Sequence, residues 1–448
     1  MRRNRFLLIL GLAALATAAV VGPSVVAAGA DETGPTPEAG LPAQVVDFEP
    51  YSIGNKTYKT TDFTKGTREA QTKWRVISGT GNAAEIWITT MSDGRLFDLG
   101  GRYINYSDDK GLTWKSVRPL EPLVNAEGSV LGAPNGDVVG VTWDPYSGDR
   151  VLTFKYSAGE DTWYYMYNVL HTPFWDRPGI DVLPGKFTTP TGETVPYITF
   201  INGLPHDPWY YSYDGLHYNN VSSFQADKQM TEPISEWANV KPNKAFDYIQ
   251  PHYYFPFTPL GGGKAITGTN THSMFSAEDM RWHDFTLPNG KSFDGVTQTD
   301  SRGRLHTVVN TGDGFFYRMS TDGGRTWETL KVKGGFAGDF RANAAAGVAG
   351  VWALLKQQDL VYKIDISGDK PKLIREYVVG LGDDCRCGGV GFYGASGGHR
   401  FDFSSIVVFP DGKVGVSFMD STTLMPFPTL GLEVVAPALA IELDTKLK

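Results

Sequence analysis

The chain has 448 residues, a formal net charge of −8 and a hydrophobic fraction of 41%. An acidic chain without a cluster of Lys and Arg argues against binding to nucleic acid or to anionic membrane surfaces. Its two cysteines are too few for a disulfide-built scaffold, so a hydrophobic core must stabilise the fold.

Residues 1–30 have the pattern of a secretory signal peptide. Three arginines among the first five residues precede an apolar run, and Ala28-Gly29-Ala30 provides a small-residue cleavage site. The alternative is a membrane anchor, but Gly22-Pro23 interrupts the apolar run, which favours cleavage. We therefore expect a secreted or extracytoplasmic protein with no transmembrane segment after cleavage. Attachment to the cell surface by another route stays open.

Residues 31–75 are expected to form a flexible leader and an N-terminal arm, because the leader, DETGPTPEAGLPAQV, is rich in Pro, Gly and Glu. Residues 76–448 are expected to form one all-β domain. The 52 glycines, an aromatic content of 13% and short β-branched runs are typical of a chain with many strands and turns.

Two octapeptides in this domain share one pattern, S-x-D-x-G-x-T-W. They are SDDKGLTW at residues 107–114 and STDGGRTW at residues 320–327. Weaker copies occur at residues 157–163, 212–218, 276–282 and 367–370. The copies recur at about 50 residues, which is the period of a four-stranded propeller blade.

An apolar hairpin with a tight turn lies upstream of each copy, and the clearest examples have a Gly-containing turn, as in SVLGAPNGDVVGVTW at residues 129–143. The sequence therefore predicts a seven-bladed β-propeller of four-stranded antiparallel sheets, with six blades as the alternative. The units are 84–120, 126–172, 177–224, 247–290, 292–334, 338–380 and 398–445. The last strand, at residues 439–444, is expected to close the ring with an N-terminal strand.

The octapeptide is expected to form a structural turn. Asp322 can accept hydrogen bonds from its own turn, Gly324 can supply a positive φ, and Trp327 can pack between sheets. A catalytic group would not be needed several times around a ring, so a structural role is favoured. The residues assigned to it are Ser107, Asp109, Gly111, Trp114, Ser320, Asp322, Gly324 and Trp327.

These turns resemble the Asp-box of the bacterial neuraminidase (BNR) repeat, which occurs in sialidases and in sialidase-like propellers. The hairpin segments DRPGIDVLPG and FSSIVVFPDGKVGVSFMDS resemble the blades of the same superfamily, and the resemblance covers residues 84–445. It implies a fold and leaves the activity open. The Phe/Tyr-Arg-Ile/Leu-Pro motif of true sialidases is missing, so no catalytic residue is transferred from them.

Functional residues of a propeller gather on the loops around its central funnel, on the face opposite these turns. Three arginines at comparable entry positions, Arg177, Arg341 and Arg400, could form a cationic clamp for a carboxylate. The alternative is that each arginine pairs with its neighbouring acid, which is Asp176, Asp339 or Asp402.

Several further funnel residues are candidates for catalysis or binding. Carboxylates such as Glu127, Asp294 and Asp339 could act as general acid and base, and His252 with Tyr253 could serve an elimination. The alternative for each carboxylate is that it caps backbone groups. Additional substrate contacts are expected from Asp176, His206, Trp209 and His399.

Cys385 and Cys387 lie in a Gly-rich loop at residues 380–402. A Cys385–Cys387 disulfide is the favoured interpretation for an exported chain, and a metal site is the alternative. We predict no metal and no cofactor.

Two functions of different classes remain. The leading hypothesis is a glycan-active protein, most concretely an exo-acting glycoside hydrolase or a polysaccharide lyase on an acidic sugar. The alternative is a non-catalytic propeller that binds a glycan or a partner protein at the cell surface.

Overall fold

The computed structural model describes residues 44–46, 56–58, 74–78, 86–100, 103–111, 113–118, 128–143, 150–169, 176–204, 210–220, 240, 242–249, 257–267, 272–285, 296–355, 358–379, 405–427 and 432–442. The chain divides into two units, Met1–Ala39 and Gly40–Lys448, and every described residue belongs to the second. The predicted signal peptide and both cysteines lie outside the described residues.

The described residues form β-strands and one short 3-10 helix. Three short strands come first, and they are β1 (Gln44–Val46), β2 (Lys56–Tyr58) and β3 (Trp74–Ser78). The strands up to the short helix are β4 (Ile86–Thr90), β5 (Leu96–Gly100), β6 (Tyr103–Ser107), β7 (Lys115–Arg118), β8 (Gly128–Gly132), β9 (Val138–Trp143), β10 (Arg150–Ser157), β11 (Thr162–Val169), β12 (Asp176–Thr188), β13 (Thr194–Leu204), β14 (Tyr210–Ser212) and β15 (Asn219–Asn220). The helix is η1 (Lys244–Tyr248).

The strands after the helix are β16 (Phe257–Gly261), β17 (Lys264–Thr267), β18 (His272–Ser276), β19 (Arg281–Phe285), β20 (Thr297–Thr299), β21 (Leu305–Thr311), β22 (Gly314–Ser320), β23 (Glu328–Lys333), β24 (Phe336–Asn343), β25 (Val348–Leu355), β26 (Gln358–Asp365), β27 (Lys372–Val379), β28 (Ser405–Val408), β29 (Val414–Phe427) and β30 (Leu432–Glu442). They and the earlier strands form seven antiparallel sheets among the described residues.

We number the sheets 1 to 7 in chain order. Their strands, from the innermost outward, are β4-β5-β6-β7-β1, β8-β9-β10-β11, β12-β13-β14-β15, β16-β17-β18-β19, β20-β21-β22-β23, β24-β25-β26-β27 and β28-β29-β30-β3-β2. The strands β1 and β2 fall within the segment predicted to be a leader and an arm, and each extends the outer edge of a sheet.

Burial decreases from the inner strand of a sheet to its outer strand. All residues of β8, β16 and β28 are buried, whereas Val332 is the only buried residue of β23. An inner strand is covered by neighbouring sheets on both faces, and this is why β8, β16 and β28 consist of apolar and small residues. An outer strand has solvent beside it and can carry charged side chains.

The inner strands form a closed ring. Each contacts the inner strand of the next sheet, from β4 with β8 through to β24 with β28, and β28 contacts β4. The all-β propeller predicted from the sequence is therefore confirmed. A ring of seven separate sheets leaves only short outer edges in place of the long edges that one open sheet of this size would present.

Sheet 7 joins the two ends of the domain. Its strand β30 pairs with β29 on one side and with β3 on the other, with Ile441 opposite Arg75. The N-terminal strand that the sequence predicted as partner of the last strand is therefore β3.

Polar side chains on the inner strands fasten neighbouring sheets to each other. Gln298 Nε2 donates to the backbone oxygen of Phe340 at 2.8 Å, and its Oε1 accepts from Ala342 N at 2.9 Å. Comparable bonds between neighbouring sheets are made by Ser129, Thr258, Thr299 and Asp339. These buried polar groups are therefore occupied in holding the ring together.

The octapeptide of sheet 5 makes a dense local network. Asp322 Oδ1 accepts from Ser320 Oγ at 2.8 Å and from Thr326 N at 2.9 Å, while Oδ2 accepts from Thr326 Oγ1 at 2.7 Å. The Ser320 oxygen accepts from Gly324 N at 2.8 Å, and Gly324 has a φ of 90°. Trp327 is only partly buried, and its Nε1 donates to Gly324 O.

The octapeptide of sheet 1 repeats this network. Asp109 accepts from Ser107 Oγ, Thr113 N and Thr113 Oγ1 at 2.8, 2.8 and 2.6 Å, and Gly111 has a φ of 84°. In this copy the ring of Trp114 is buried, 4% exposed, in the cluster that joins sheets 1 and 7. Both networks are local, as a turn device requires.

Replacing Asp322 by alanine is expected to lower the free energy of unfolding by about 1–2 kcal/mol, because three hydrogen bonds of a turn partly open to water are lost. Urea unfolding measures the change, and Arg325→Ala, an exposed change in the same turn, is the matched control. A variant that kept its stability but lost ligand binding would contradict the structural role.

Candidate functional site

The two ends of the ring differ. One end carries the tight turn between the first and second strands of each sheet and the octapeptide turns, and we call it the turn face. The opposite end, the loop face, carries the entry and mid-sheet connections.

Most of the predicted site lies in connections outside the described residues, and these positions are Glu127, His206, Trp209, His252, Tyr253, Asp294, Cys385, Cys387, His399, Arg400 and Asp402. For Asp176 and Arg177, only the backbone, at the start of β12, is described.

A segment between sheets 3 and 4 crosses the ring at the turn face. We call residues 242–249 the plug. Its helix η1 begins after Asn243, whose side chain accepts from Ala245 N at 2.9 Å. Phe246 and Ile249 are 1% and 4% exposed and pack in one cluster with Leu131 of sheet 2.

The other side of the plug is attached to sheets 5 and 6. Asp247 Oδ1 accepts from Ser301 N at 2.9 Å and from Ala344 N at 2.8 Å, and Oδ2 accepts from Ala345 N at 3.0 Å. In a ring of seven sheets, sheet 2 lies opposite sheets 5 and 6. The plug therefore spans the axis and covers the turn-face end of the central channel.

Arg341 lies above the plug, on the inner strand of sheet 6. Its Nη2 donates to the backbone oxygen of Asp247 at 2.8 Å. The side chain is 1% exposed, and neither Nε nor Nη1 has a hydrogen-bond partner within the part of the chain that the structure describes. A buried guanidinium with two unsatisfied donors is costly in a folded protein unless something else pairs with it.

The electrostatic surroundings of Arg341 are mixed. Burial is the largest influence and lowers the pKa of Arg341 to about 10, against the opposing charges of Asp247 and Asp339 and the nearby Tyr248. At neutral pH the group therefore remains a cation. Burial raises the pKa of Tyr248, so its phenol stays protonated there.

Arg341 is deeper than the entry position predicted for it. Strand β24 begins at Phe336, and a register shift between Ala337 and Asp339 precedes Arg341, which is the sixth residue of the strand. The side chain consequently reaches the plug near the far end of the channel.

Asp339 has a structural task in this site. Its Oδ1 accepts from Phe340 N at 2.8 Å and its Oδ2 accepts from Ile406 N, on the inner strand of sheet 7, at 3.1 Å. Of the two roles open to it in the sequence, the described hydrogen bonds favour backbone capping. Arg341 and Asp339 were candidates from the sequence, whereas Asp247 was not, because its role depends on long-range contacts with the turns of sheets 5 and 6.

A second buried charged cluster lies in sheet 5. Asp300 Oδ2 accepts from Arg304 Nε and pairs with His306 Nε2, each at 2.7 Å, and His306 Nδ1 is 2.8 Å from Tyr317 Oη. Arg304 Nη1 also donates to the backbone oxygens of Ile366 and Gly368 of sheet 6.

This cluster has the residue types of a catalytic relay but a structural position. Asp300, His306 and Tyr317 are all 0% exposed. Burial alone would raise the pKa of Asp300, but His306 and Arg304 outweigh it and lower the pKa. The cluster therefore joins sheets 5 and 6 as a paired, hydrogen-bonded unit.

A cleft of about 620 Å³ opens between sheets 2, 3 and 4 on the turn face. Its lining includes Pro134, Phe187 and Pro196, and Lys186 and Glu278 are the charged residues among its described lining. An apolar lining with one cation and one anion gives no preference for an acidic sugar.

The described residues hold neither a metal-binding cluster nor a membrane-spanning helix. They contain no group of three His, Cys, Asp or Glu side chains placed to hold a metal ion. No helix within the described ranges is long and apolar enough to cross a membrane.

No family model matches the chain, and no curated protein matches it. Among solved structures, it is similar to a virginiamycin B lyase from Staphylococcus aureus, with 12% identity, 69% of this chain and 89% of the lyase covered, and a TM-score of 0.41. It is similar to an ulvan lyase of a polysaccharide lyase family, with 12% identity, 81% and 93% covered, and a TM-score of 0.41. It is also similar to the endosialidase of phage phi92, with 11% identity, 84% and 70% covered, and a TM-score of 0.38. The fold of this chain rests on its own strand pairing and ring closure.

Proposed function

We propose that the protein is an exported, glycan-active propeller that binds the carboxylate of an acidic sugar at Arg341. The observation that carries the proposal is the buried guanidinium of the inner strand of sheet 6, which contacts the plug and whose Nε and Nη1 are unsatisfied by the described residues. The plug covers the turn-face end, so the acidic group would enter from the loop face.

The guanidinium retains the geometry for a carboxylate. It presents five N–H donors in a planar fork, with one pair on the Nε–Nη2 edge and another on the Nη1–Nη2 edge. The oxygen of Asp247 uses only one of the two Nη2 hydrogens. Whichever hydrogen it uses, one edge keeps both donors, and two parallel donors match a carboxylate bidentately.

The catalytic version of the proposal is an exo-acting hydrolase or lyase. In it, Arg341 binds the sugar carboxylate, and proton transfer falls to loop-face residues, for which Glu127, Asp294, His252 and Tyr253 are the candidates. Arginine at the carboxylate would neutralise charge in either reaction.

The second version is a non-catalytic binding propeller, and one observation favours it. Both oxygens of Asp339, the described candidate for acid–base chemistry, accept hydrogen bonds from backbone N–H groups. A carboxylate held in this way is poorly available for proton transfer. A screen of purified protein on monomeric and polymeric acidic glycans separates the versions, because binding without turnover supports the second.

Replacing Arg341 by glutamine is expected to weaken binding of an acidic sugar roughly 100-fold, because losing one partner of a buried, hydrogen-bonded charge pair costs about 2–5 kcal/mol. Calorimetric or NMR titration measures the change. Arg302→Gln is the matched control, since Arg302 donates to Ser367 O on the turn face. The methyl ester of the same sugar should bind the wild-type protein as weakly as the acid binds the variant. Equal binding of acid and ester by the wild type would refute the carboxylate site even if the variant failed to fold.

A further inference from the structure

Asp247 contacts Arg341 and two neighbouring sheets at once. Its carboxylate accepts three backbone N–H bonds from the turns of sheets 5 and 6, at 2.8–3.0 Å. Its backbone oxygen accepts from Arg341 Nη2 at 2.8 Å. The side chain is 1% exposed, so water does not compete for these bonds.

The residues beside Asp247 fix the plug from the other side of the ring. Phe246 packs against sheets 2 and 3 in a cluster with Leu131 and Ile180. A side chain at Gly132 would approach Tyr248 O, which places the end of the helix against sheet 2. Apolar contacts thus fix one side of the plug to sheets 2 and 3, and the hydrogen bonds of the Asp247 carboxylate fix the other side to sheets 5 and 6.

We propose that Asp247 is the positioning residue of the Arg341 site: its carboxylate fixes the plug to sheets 5 and 6, so that its backbone oxygen holds Nη2 and turns the remaining guanidinium edge toward the ligand. This inference rests on the proposed function. It assigns a role to a residue that makes no contact with the ligand itself.

The charge of Asp247 has a second, separable effect. Asp247, Asp339 and Tyr248 are the titratable groups of the described residues that influence Arg341, and the acids oppose the loss of its proton. Removing the Asp247 charge should therefore lower the pH at which Arg341 loses its proton. Binding requires the Arg341 cation, so affinity should fall at alkaline pH, where the cation is lost. We call this fall in a plot of affinity against pH the alkaline limb, and without the Asp247 charge it would move to lower pH.

Two variants separate position from charge. Asp247→Ala removes all three acceptor bonds and the charge. Asp247→Asn removes the charge but keeps an oxygen equivalent to Oδ1, which accepts from Ser301 N and Ala344 N. Asp137→Ala is the matched control, because Asp137 is also a buried carboxylate, 3% exposed, that accepts from a backbone N–H and a tyrosine in sheets 2 and 3.

The experiment titrates each full-length variant with glucuronate from pH 7 to 11, alongside Arg341→Gln. At pH 7 we expect Asp247→Ala to bind about tenfold more weakly, because the guanidinium loses its fixed orientation. Asp247→Asn should stay within about threefold of wild type, and Asp137→Ala should bind normally. In both Asp247 variants the alkaline limb should move to lower pH, which a purely structural residue would not cause.

The possible failures are distinguishable. If Arg341→Gln loses binding but both Asp247 variants match wild type in affinity and alkaline limb, the positioning role is overturned and the proposed function stands. If wild type and Arg341→Gln bind glucuronate alike, or neither binds, the proposed function is overturned and the positioning role falls with it. If Asp247→Ala does not fold, Asp247→Glu decides, because it keeps the charge but moves the carboxylate away from its three backbone donors, and affinity equal to wild type at pH 7 overturns the role.

Discussion

Replacing Asp98 by asparagine is expected to stabilise the protein above pH 7 and to leave it unchanged near pH 4. Asp98 lies on the second strand of sheet 1 and is 3% exposed. It lies on the same face of β5 as Leu96, which belongs to the hydrophobic cluster shared with Val407 of sheet 7. Its Oδ2 has one weak bond, from Asn105 Nδ2 at 3.4 Å, and Oδ1 has no hydrogen-bond partner among the described residues.

Burial raises the pKa of Asp98 from 3.8 to about 7, and the bond from Asn105 only partly opposes it. The folded protein therefore holds this proton more tightly than the unfolded chain does. The resulting stability is complete below about pH 4 and is lost as the pH rises to about 7. At about 1.4 kcal/mol per pKa unit, the ionised group costs roughly 4 kcal/mol above pH 7.

Asparagine has the same shape and cannot ionise, so the Asp98→Asn curve of stability against pH should be flatter than that of wild type. Urea unfolding at several values between pH 4 and pH 8 measures it, with exposed Asp93→Asn as the control. Variant and wild-type curves that run parallel throughout would show that Asp98 ionises freely in the folded protein.

Replacing Asp300 by alanine is expected to cost about 3–5 kcal/mol, because it leaves the buried cation of Arg304 without its charged partner. The carboxylate accepts from the Arg304 guanidinium, from His306 and from two backbone N–H groups of its turn. Thermal and urea unfolding measure the loss. Asp313→Ala, which removes an exposed acid paired with Lys331, is the matched control and should be nearly neutral.

The pH dependence of Asp300 runs opposite to that of Asp98. The pKa of Asp300 is lower in the folded protein than in the unfolded chain. The ionised carboxylate therefore stabilises the fold at a pH above the ordinary pKa of an aspartate, and this stability is lost as the pH falls through the lowered pKa of the folded state. The difference between wild type and Asp300→Ala should therefore shrink in acid. A variant less than about 1 kcal/mol below wild type at pH 7 would mean that Arg304 finds its charge compensation elsewhere.

The fold was predictable because its signals are local and repeated. Gly324 and Gly111 have the positive φ that the octapeptide turn requires, and each lies in the same five-residue frame with Ser and Asp. Apolar hairpins about 50 residues apart then place inner strands side by side. A period in the sequence is enough to infer such an architecture, since each unit repeats the same short-range contacts.

The site was only partly predictable, because its contacts are long-range. Arg341 was named from its position before a strand, but its depth depends on where β24 begins and on its register shift. Asp247 lies in a non-repeating segment and bonds to turns of two later sheets, which no local pattern encodes. Asp98 and Asp300 both lie in ordinary hairpins. Only the packing of the sheets decides that Asp98 is buried without a charged partner and that Asp300 is buried beside Arg304 and His306.

The pairing of β3 with β30 has a consequence for when the protein can fold. Strand β3 is made early in synthesis, but its partner is the last described strand of the chain. Until β30 is made, nothing can bridge β29 and β3, and both strands would present open edges to other chains. The contact spans almost the whole domain, and such non-local pairings form slowly. Completion of sheet 7, and with it closure of the ring, therefore comes after the strands of sheets 2 to 6 have been made, and a chain stopped short of β30 would keep an incomplete ring with exposed strand edges.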